Sequence, residues 1–345
     1  MKKILVCGNF GTGAPTSSGQ IIKTKILYES LVDKYGNNVV IRHNTANGIK
    51  SLVILFFKII PYLISCKSIV LLPAHNGVKV ILPLFSACNK WFNRKLHYVV
   101  IGGWLPDLLE KNVSLRQTIS KLSGIYVETS FMKTRLEEMG MNNVLIMPNF
   151  KRLPHVDETE ISQSLDEPLK LCTFSRVIKE KGIEDAIQAV TNINEAYKQT
   201  KFILDIYGSV DNDQELWFND IKQNFPEYVQ YKGNVPFDKS VDTLKGYYAL
   251  LFPTYYSGEG VAGTLIDAMA TGLPVVASDW RYNKEVVKDG KTGLLFETHN
   301  IKDLECKIDW LYLHVDEYKR MRQASLQESR KYTPEYALRV LSERL

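Results

Sequence analysis

Short apolar segments alternate with longer helical ones along most of the chain, and this alternation restricts the fold more than any other feature. Segments such as 3–7, 68–72 and 202–207 are rich in Val, Ile and Leu, and glycine or polar turns follow them. Because parallel strands need crossover helices, this pattern predicts an α/β protein with doubly wound parallel sheets. A chain of 345 residues exceeds one ordinary core, which favours two domains.

One polar stretch interrupts the alternation. Residues 151–168 are acidic and contain prolines, and we interpret them as an interdomain linker. We therefore predict one Rossmann-like domain at 1–150 and a second at 169–330. Ligands bind such sheets at the carboxyl ends of the strands. Two such domains facing a central cleft are expected to hold two substrates between them.

The net charge of +5 is divided unevenly between the two halves. Residues 1–150 carry 18 Lys and Arg against 7 Asp and Glu, whereas the remainder carries 25 against 31. No acidic residue occurs between Lys34 and Pro106. A basic half indicates an anionic partner, such as a membrane surface, phosphates or nucleic acid, or simply a solvated basic face.

The most apolar stretch, Ser51–Ala74, is long enough to span a membrane. Lys58 and Lys67 interrupt it, and Pro61 would kink it. We prefer an apolar helix at 52–65 followed by a buried strand at 68–72. That helix then either belongs to the core or rests on a bilayer interface.

The cysteines and the N-terminus indicate a reduced, cytoplasmic protein. The five cysteines are scattered without a Cys-x-x-Cys pair, which supports neither a zinc site nor a disulfide framework. The apolar run at 4–7 is too short for a signal peptide.

The most informative segment for chemistry is 252–280, FPTYYSGEGVAGTLIDAMATGLPVVASDW. Its glycines, Gly258, Gly260 and Gly263, allow the backbone to approach a ligand, and the amides that begin the following helix favour anions such as a diphosphate. Glu259 and Asp267 lie eight residues apart, a spacing that allows two carboxylates to hold sugar hydroxyls. A purely structural role for the segment is the alternative.

This segment resembles the Glu-x7-Glu signature of the retaining family 4 glycosyltransferases, which have the GT-B fold. Residues 267–276, DAMATGLPVV, match the family's EAMAxGxPVV core. The resemblance implies that Glu259 contacts the donor sugar and that Asp267 binds the ribose. Asp267 is one methylene shorter than the family's Glu. The resemblance also implies that a final helix at 331–345 returns to the first domain.

Residues 172–190, CTFSRVIKEKGIEDAIQAV, are similar to the family's GRLxxxKG element. Arg176 and Lys181 occupy its basic positions, and Ser175 replaces a glycine. The resemblance implies that both cations hold the diphosphate, where fixed charges stabilise a departing nucleotide. We expect no metal, because these two cations would do the work of one. Solvent-exposed basic residues are the alternative.

The resemblance implies additional donor contacts along the backbone of both domains. In the second domain these are Gly260, Val261, Ala262, Gly263, Thr264, Gly208, Asn234 and Val235. In the first domain, the loop with Gly11, Thr12 and Gly13 is expected to approach the donor phosphates, with a plain tight turn as the alternative.

On the acceptor side the chain departs from the family pattern. The stretch 98–110 lacks the histidine that many relatives carry after the fourth strand. It offers Gly102, Gly103, Trp104 and Asp107 instead, and a capping role is the alternative for Asp107. We interpret His75 and His97 as ordinary surface or strand residues.

Together these features predict a retaining, metal-independent glycosyltransferase that is cytoplasmic and contacts the inner membrane surface peripherally. The expected donor is a nucleotide-sugar, with UDP ahead of GDP. The expected acceptor is a saccharide or a lipid-diphosphate-linked glycan of surface polysaccharide. We expect no cofactor and no nucleic-acid partner. Two alternatives stay open: a Rossmann-type epimerase or dehydrogenase, which would need an acid where Arg42 ends the second strand, and a non-catalytic nucleotide-sugar-binding protein.

Overall fold

The computed structural model describes residues 3–13, 19–154, 156 and 166–345. The chain forms two compact units. The first unit comprises Met1–Arg152 and Lys331–Leu345, and the second comprises Leu153–Arg330. Much of the proposed linker at 151–168 lies outside the described residues.

The first unit contains a six-stranded parallel sheet in the order β2-β1-β3-β4-β5-β6. Its strands are β1 Lys3–Gly8, β2 Val40–Asn44, β3 Cys66–Leu72, β4 Lys95–Val99, β5 Gly124–Val127 and β6 Val144–Ile146. β1, β3 and β4 are buried almost throughout. Helices cover both faces of such a sheet. Because both faces of these strands are buried, their sequences are nearly continuous apolar runs.

Six helices connect these strands: α1 Gly19–Tyr35, α2 Ile49–Ser65, α3 His75–Asn89, α4 Leu105–Glu110, α5 Val113–Ile119 and α6 Ser130–Glu138. Residues 75–89 were not predicted as a helix, although α3 buries Val78, Ile81, Leu82 and Phe85 at helical spacing. Pro83 lies inside α3, and this internal proline masks the helical pattern in the sequence.

The second unit contains another six-stranded parallel sheet, in the order β12-β11-β10-β7-β8-β9. Its strands are β7 Leu169–Phe174, β8 Phe202–Tyr207, β9 Val229–Gly233, β10 Ala249–Phe252, β11 Val275–Ser278 and β12 Gly293–Phe296. Its helices are α7 Ile183–Tyr197, α8 Glu215–Gln223, α9 Ser240–Leu244, α10 Gly263–Ala270, α11 Asn283–Val286, α12 Ile301–Leu313 and α13 Val315–Ser329. The α/β class with two parallel sheets is therefore confirmed.

The end of the chain packs on the first unit. Two short helices, α14 Pro334–Ala337 and α15 Arg339–Ser342, replace the single helix expected at the C-terminus. Ala337, Leu338 and Leu341 join a core cluster that includes Val6 and Val70. Apolar burial therefore holds this segment although neither helix exceeds four residues.

The apolar stretch beginning at Ser51 forms α2 and β3, as preferred from the sequence. α2 buries Ser51, Leu55, Ile59 and Leu63, which recur every four residues and form one face. Most of its other apolar side chains are exposed to solvent. Among the described residues, no helix combines the length and apolar character needed to cross a membrane.

Candidate active site

The order of strands in the second unit locates its ligand-binding edge. From the central strand β7, the chain continues to β8 and β9 on one side and later to β10, β11 and β12 on the other. The carboxyl ends of β7 and β10 therefore form a topological switch point, where open α/β sheets bind ligands. The two motifs singled out in the sequence, 172–190 and 252–280, follow these two strands.

A buried ion pair joins the turns that follow β7 and β10. Lys181 Nζ donates a hydrogen bond to Glu259 Oε2, and both residues are less than 10% exposed. The Thr254 hydroxyl donates to the same carboxylate oxygen at 3.1 Å. A buried charge needs such a partner, because desolvating an unpaired one is costly. The predicted catalytic residues Lys181 and Glu259 are thus in direct contact.

Backbone contacts also hold these two turns together. The amide of Tyr255 donates to the Glu180 carbonyl at 2.8 Å. Gly182 has φ +68°, and a Cβ there would lie 2.2 Å from the Pro253 carbonyl oxygen. Only glycine permits this approach, so it brings the turn carrying Lys181 against the turn that leads to Glu259.

Arg176 is connected to this pair through an aromatic ring. The Tyr256 ring centroid lies 5.3 Å from the Arg176 guanidinium carbon and 5.4 Å from Lys181 Nζ, distances typical of cation–π contacts. Arg176 also donates to Asp211 at 2.6 Å. Burial by itself lowers the pKa of Arg176, but Asp211 and the Tyr256 hydroxyl outweigh burial and raise that pKa overall. The guanidinium therefore carries a permanent positive charge beside Tyr256.

Gly258 lies against the ring of Tyr256. A Cβ at Gly258 would lie 2.8 Å from the Tyr256 ring. The absence of a side chain at Gly258 therefore makes room for the Tyr256 ring. Trp280 Nε1 further restrains this turn by donating to the Tyr256 carbonyl at 2.9 Å.

α10 begins directly after the turn with Glu259. Ala262 is its N-cap, and Gly263 and Thr264 form its first turn. The Thr264 hydroxyl oxygen is buried and has no hydrogen-bond partner among the described residues. Asp267 is 2% exposed in the second turn. Gly260 and Val261 lie in the preceding loop, so the predicted donor residues form one continuous segment from 259 to 267.

The remaining predicted donor residues of the second unit follow β8 and β9. Gly208 has φ +141°, and a Cβ there would lie 1.7 Å from the Ser175 carbonyl oxygen. The Gly208 amide donates to the Gly233 carbonyl at 2.9 Å. Asn234 is exposed and Val235 is half-buried, directly after β9. All of these residues thus lie at the carboxyl edge of the sheet.

In the first unit, the glycine-rich loop follows β1. Gly11 and Gly13 have φ of +79° and +100°, values that glycine adopts readily. Asn44, which ends β2, braces this loop by accepting from the Phe10 amide and donating to the Gly11 carbonyl, both at 2.9 Å. Thr12 lies between the two glycines, and residues 14–18 of the loop lie outside the described residues.

The acceptor-side candidates follow β4. Gly102 has φ +84°, Gly103 is buried, and Trp104 is half-buried. The Trp104 ring makes an edge contact with His75 at 5.0 Å between centroids. Asp107 pairs with Arg135 at 2.8 Å. Trp104 is the N-cap of α4, and Asp107 lies in the first turn of that helix.

The two histidines interpreted as ordinary residues differ in their surroundings. His97 is a fully buried strand residue whose Nδ1 lies 3.0 Å from the Tyr126 hydroxyl. His75 is exposed and lies against Trp104, an acceptor-side candidate. The sequence does not reveal this contact, because 29 positions and an entire helix separate the two residues.

Comparison with known proteins adds an independent line of support. Residues 157–328, almost the whole second unit, match the family model described as glycosyl transferases group 1. The second unit is a group 1 glycosyl transferase domain.

Two curated relatives each match about half of this chain. The GtfA subunit of a UDP-N-acetylglucosamine–peptide N-acetylglucosaminyltransferase from Streptococcus pneumoniae is 28% identical over 178 residues, which cover 51% of this chain. A poly(ribitol-phosphate) alpha-N-acetylglucosaminyltransferase from Staphylococcus aureus is 24% identical over 194 residues, or 56% of this chain. The matched region spans 34% and 37% of these relatives' own lengths.

The whole chain also resembles solved structures. HepE of Anabaena, crystallised in complex with UDP, aligns over 99% of both chains with a TM-score of 0.73 and 14% sequence identity. At this identity the likeness concerns the fold alone. It confirms the predicted GT-B class for a chain with two parallel sheets.

Three further residues of the group 1 domain contact the predicted site residues. The sequence did not single them out. Tyr256 contacts both cations, Thr254 holds Glu259, and Asp211 holds Arg176. Tyr256 and Thr254 lie inside the motif at 252–280, so their closeness in sequence to Glu259 could have identified them as site residues. Asp211 follows β8, and only the pairing of β7 with β8 brings it to Arg176.

Proposed function

We propose that this protein is a retaining, metal-independent glycosyltransferase that moves a sugar from a UDP-sugar to a saccharide or lipid-linked glycan acceptor. The observation that carries the proposal is the arrangement of Lys181, Glu259 and Arg176 around Tyr256 in a group 1 domain. These residues lie at the switch point of the sheet, beside the start of α10.

In this proposal the two cations stabilise the departing nucleotide. As the bond between the anomeric carbon and the phosphate oxygen breaks, its electron pair passes to that oxygen and the diphosphate gains negative charge. Arg176 and Lys181 are held in place before the reaction, so they stabilise this charge without reorganising. The amides at the start of α10 add partial positive charge.

Retention follows in the proposal from attack on the face that the diphosphate leaves. The acceptor hydroxyl oxygen forms the new bond to the anomeric carbon, and its proton passes to the departing phosphate oxygen. No side-chain base is then required. Glu259 orients Lys181 and the donor sugar, and Asp267 holds the ribose.

The donor class is supported by the relatives. HepE was crystallised with UDP, and the pneumococcal relative is named for UDP-N-acetylglucosamine. We assign acceptor binding to the first unit, through Trp104 and its glycine-rich turn, and we place the reaction at the cytoplasmic side of a membrane. The relatives' names include both a peptide and a poly(ribitol-phosphate) acceptor, so the acceptor is the property that most needs testing.

A thermal-shift screen of the full chain with UDP-sugars and GDP-sugars tests donor binding, because a ligand of the folded state raises the melting temperature. We expect a UDP-sugar to raise it most, with and without EDTA. Release of UDP in the presence of glycan acceptors then tests transfer, and the anomeric configuration of the product tests retention.

Three outcomes would contradict the proposal. Stabilisation by a nicotinamide dinucleotide but by no nucleotide-sugar would favour a Rossmann-type redox enzyme. Tight binding of a UDP-sugar without UDP release for any acceptor would favour a binding protein. Loss of turnover in EDTA that a divalent cation restores would refute metal independence.

A further inference from the structure

One face of α2 is apolar and exposed to solvent. Six residues form this surface, which we call the α2 face: Ile49, Val53, Phe56, Phe57, Ile60 and Ile64. Their spacing of three to four residues places them on one side of the helix, away from the face that contains Leu55 and Ile59. Phe56 and Phe57 are 60% and 74% exposed.

Such a surface is unusual for a protein that stays in water. Single exposed apolar residues are normal, but contiguous apolar patches on monomers mark sites of interaction. α2 already has a core-facing side that attaches it to the first unit, so the α2 face is not needed for folding. Its apolar character therefore indicates something that covers it.

Exposed lysines lie in the same segment as the α2 face. Lys50 and Lys58 are exposed on α2 itself, and Lys67 is exposed at the start of β3. The sequence contains no acidic residue between Lys34 and Pro106, a range that includes α2, α3 and their connections. The segment that carries this surface is thus apolar and cationic, without an acidic residue.

An exposed tryptophan lies close to the C-terminal end of α2. Arg94 Nε donates to the Leu63 carbonyl at 2.8 Å and so anchors the segment after α3 to the last turn of α2. Trp91, three residues before Arg94, is 79% exposed, and Lys90 beside it is exposed as well. Tryptophan and lysine are the residues that favour the interface between lipid headgroups and acyl chains.

We propose that the α2 face docks on a lipid bilayer that contains anionic phospholipids. The helix lies in the plane of the interface, with Phe56 and Phe57 among the acyl chains and exposed lysines of the same segment reaching the phosphates. Charge complementarity selects this occupant. A second copy would bring the same uncompensated lysines to its own face, which opposes dimerisation, whereas an anionic surface neutralises them.

Membrane docking stands independently of the proposed transfer reaction, because the α2 face belongs to the first unit and its lipid binding needs no donor. The test is cosedimentation of the full chain with vesicles of phosphatidylglycerol and phosphatidylcholine, compared with vesicles of phosphatidylcholine alone. We expect binding to the anionic vesicles at low salt, weakened by high salt because exposed charges are screened.

A paired set of variants separates the α2 face from apolar surface in general. Phe56→Ser with Phe57→Ser should weaken vesicle binding at least about tenfold, because less apolar surface enters the bilayer. Leu216→Ser with Leu313→Ser changes two residues of the second unit that are 88% and 61% exposed, and it should leave binding unchanged. Circular dichroism melting curves establish that each variant folds.

Several results would overturn the proposal. Failure of the wild-type protein to bind anionic vesicles at low salt would overturn it. Vesicle binding by the Phe56→Ser, Phe57→Ser variant that is as strong as that of the wild type would also overturn it. If light scattering shows that the wild-type protein is a dimer and the phenylalanine variant is a monomer, the α2 face binds a second copy of the chain instead.

Discussion

Lys181 and Glu259 are 78 positions apart in sequence and form one buried ion pair. Each lies in the loop after a strand, and the two strands, β7 and β10, are neighbours in the sheet. A hydroxyl from Thr254 and the ring of Tyr256 complete the surroundings of the pair. This contact is the centre of the proposed donor site and also part of the local fold, so its two roles must be separated by experiment.

Replacing Lys181 by alanine should lower kcat about 10²- to 10³-fold, as removal of one stabilising group of a developing anion does. The measurement is UDP release under saturating donor. Lys179→Ala is the matched control, because Lys179 belongs to the same short turn but is exposed and contacts Trp217 instead. Equal losses in both variants would mean that the turn is disturbed and would remove Lys181 from the proposed chemistry.

Substitutions of Arg176 test whether the proposed reaction needs only a positive charge at this position or also the planar shape of the guanidinium. Arg176→Lys keeps the positive charge but loses the planar group that reaches Asp211 and Tyr256 together. We expect it to retain more activity than Arg176→Ala, which should lose about 10²-fold in kcat/KM. Arg320→Ala, an exposed arginine on α13, is the control. Wild-type kinetics in Arg176→Ala would refute a phosphate-binding role.

Gly208→Ala should destabilise the second unit by more than about 3 kcal/mol, because the residue is held at a left-handed φ against the Ser175 carbonyl. The measurement is the midpoint of urea unfolding. Gly246→Ala should cost less than about 1 kcal/mol, since nothing lies within 4 Å of the Cβ that it adds. A Gly208 variant as stable as the Gly246 variant would contradict the close approach of β7 and β8 at this point.

Burial, with smaller contributions from Lys95 and Arg344, lowers the pKa of His97 from 6.5 to about 4. Between these values the unfolded chain binds a proton that the folded chain does not, so stability falls as the pH drops from about 6.5 to about 4. The loss attributable to His97 approaches about 3 kcal/mol, since each pKa unit corresponds to about 1.4 kcal/mol.

Urea unfolding at a series of pH values measures this dependence. His97→Gln should flatten the decline in stability between pH 6.5 and 4, whereas His314→Gln, at an exposed position, should not. His43 also has a lowered pKa, so it adds to the pH dependence of stability in the wild type and in both variants. An unchanged pH profile in the His97 variant would show that this histidine is not held neutral by burial.

Much of the molecule followed from local patterns in the sequence. The strand expected at 68–72 is β3, Cys66–Leu72, and the helix expected at 52–65 is α2, Ile49–Ser65. Apolar periodicity and turn residues act over a few positions, so they predict single elements well. They failed at α3, whose internal Pro83 conceals the helix, and at the C-terminal segment, which forms two short helices.

The motifs at 172–190 and 252–280 likewise identified the residues of the candidate site, but not their partners. Nothing in those motifs predicts that Lys181 pairs with Glu259, or that Tyr256 lies between two cations. The same holds for Lys23 and Glu128 of the first unit, a buried ion pair at 2.6 Å between residues 105 positions apart. Each of these contacts crosses from one strand–helix unit to another.

The sequence alone determined most of the strands and helices and pointed to the residues of the candidate site, because those properties depend on neighbours within a few positions. Only the tertiary structure decided which charges neutralise each other and which side of α2 faces solvent. These outcomes depend on the order in which strands pair and on what each helix packs against. Both are set by burial and hydrogen bonding across the whole chain.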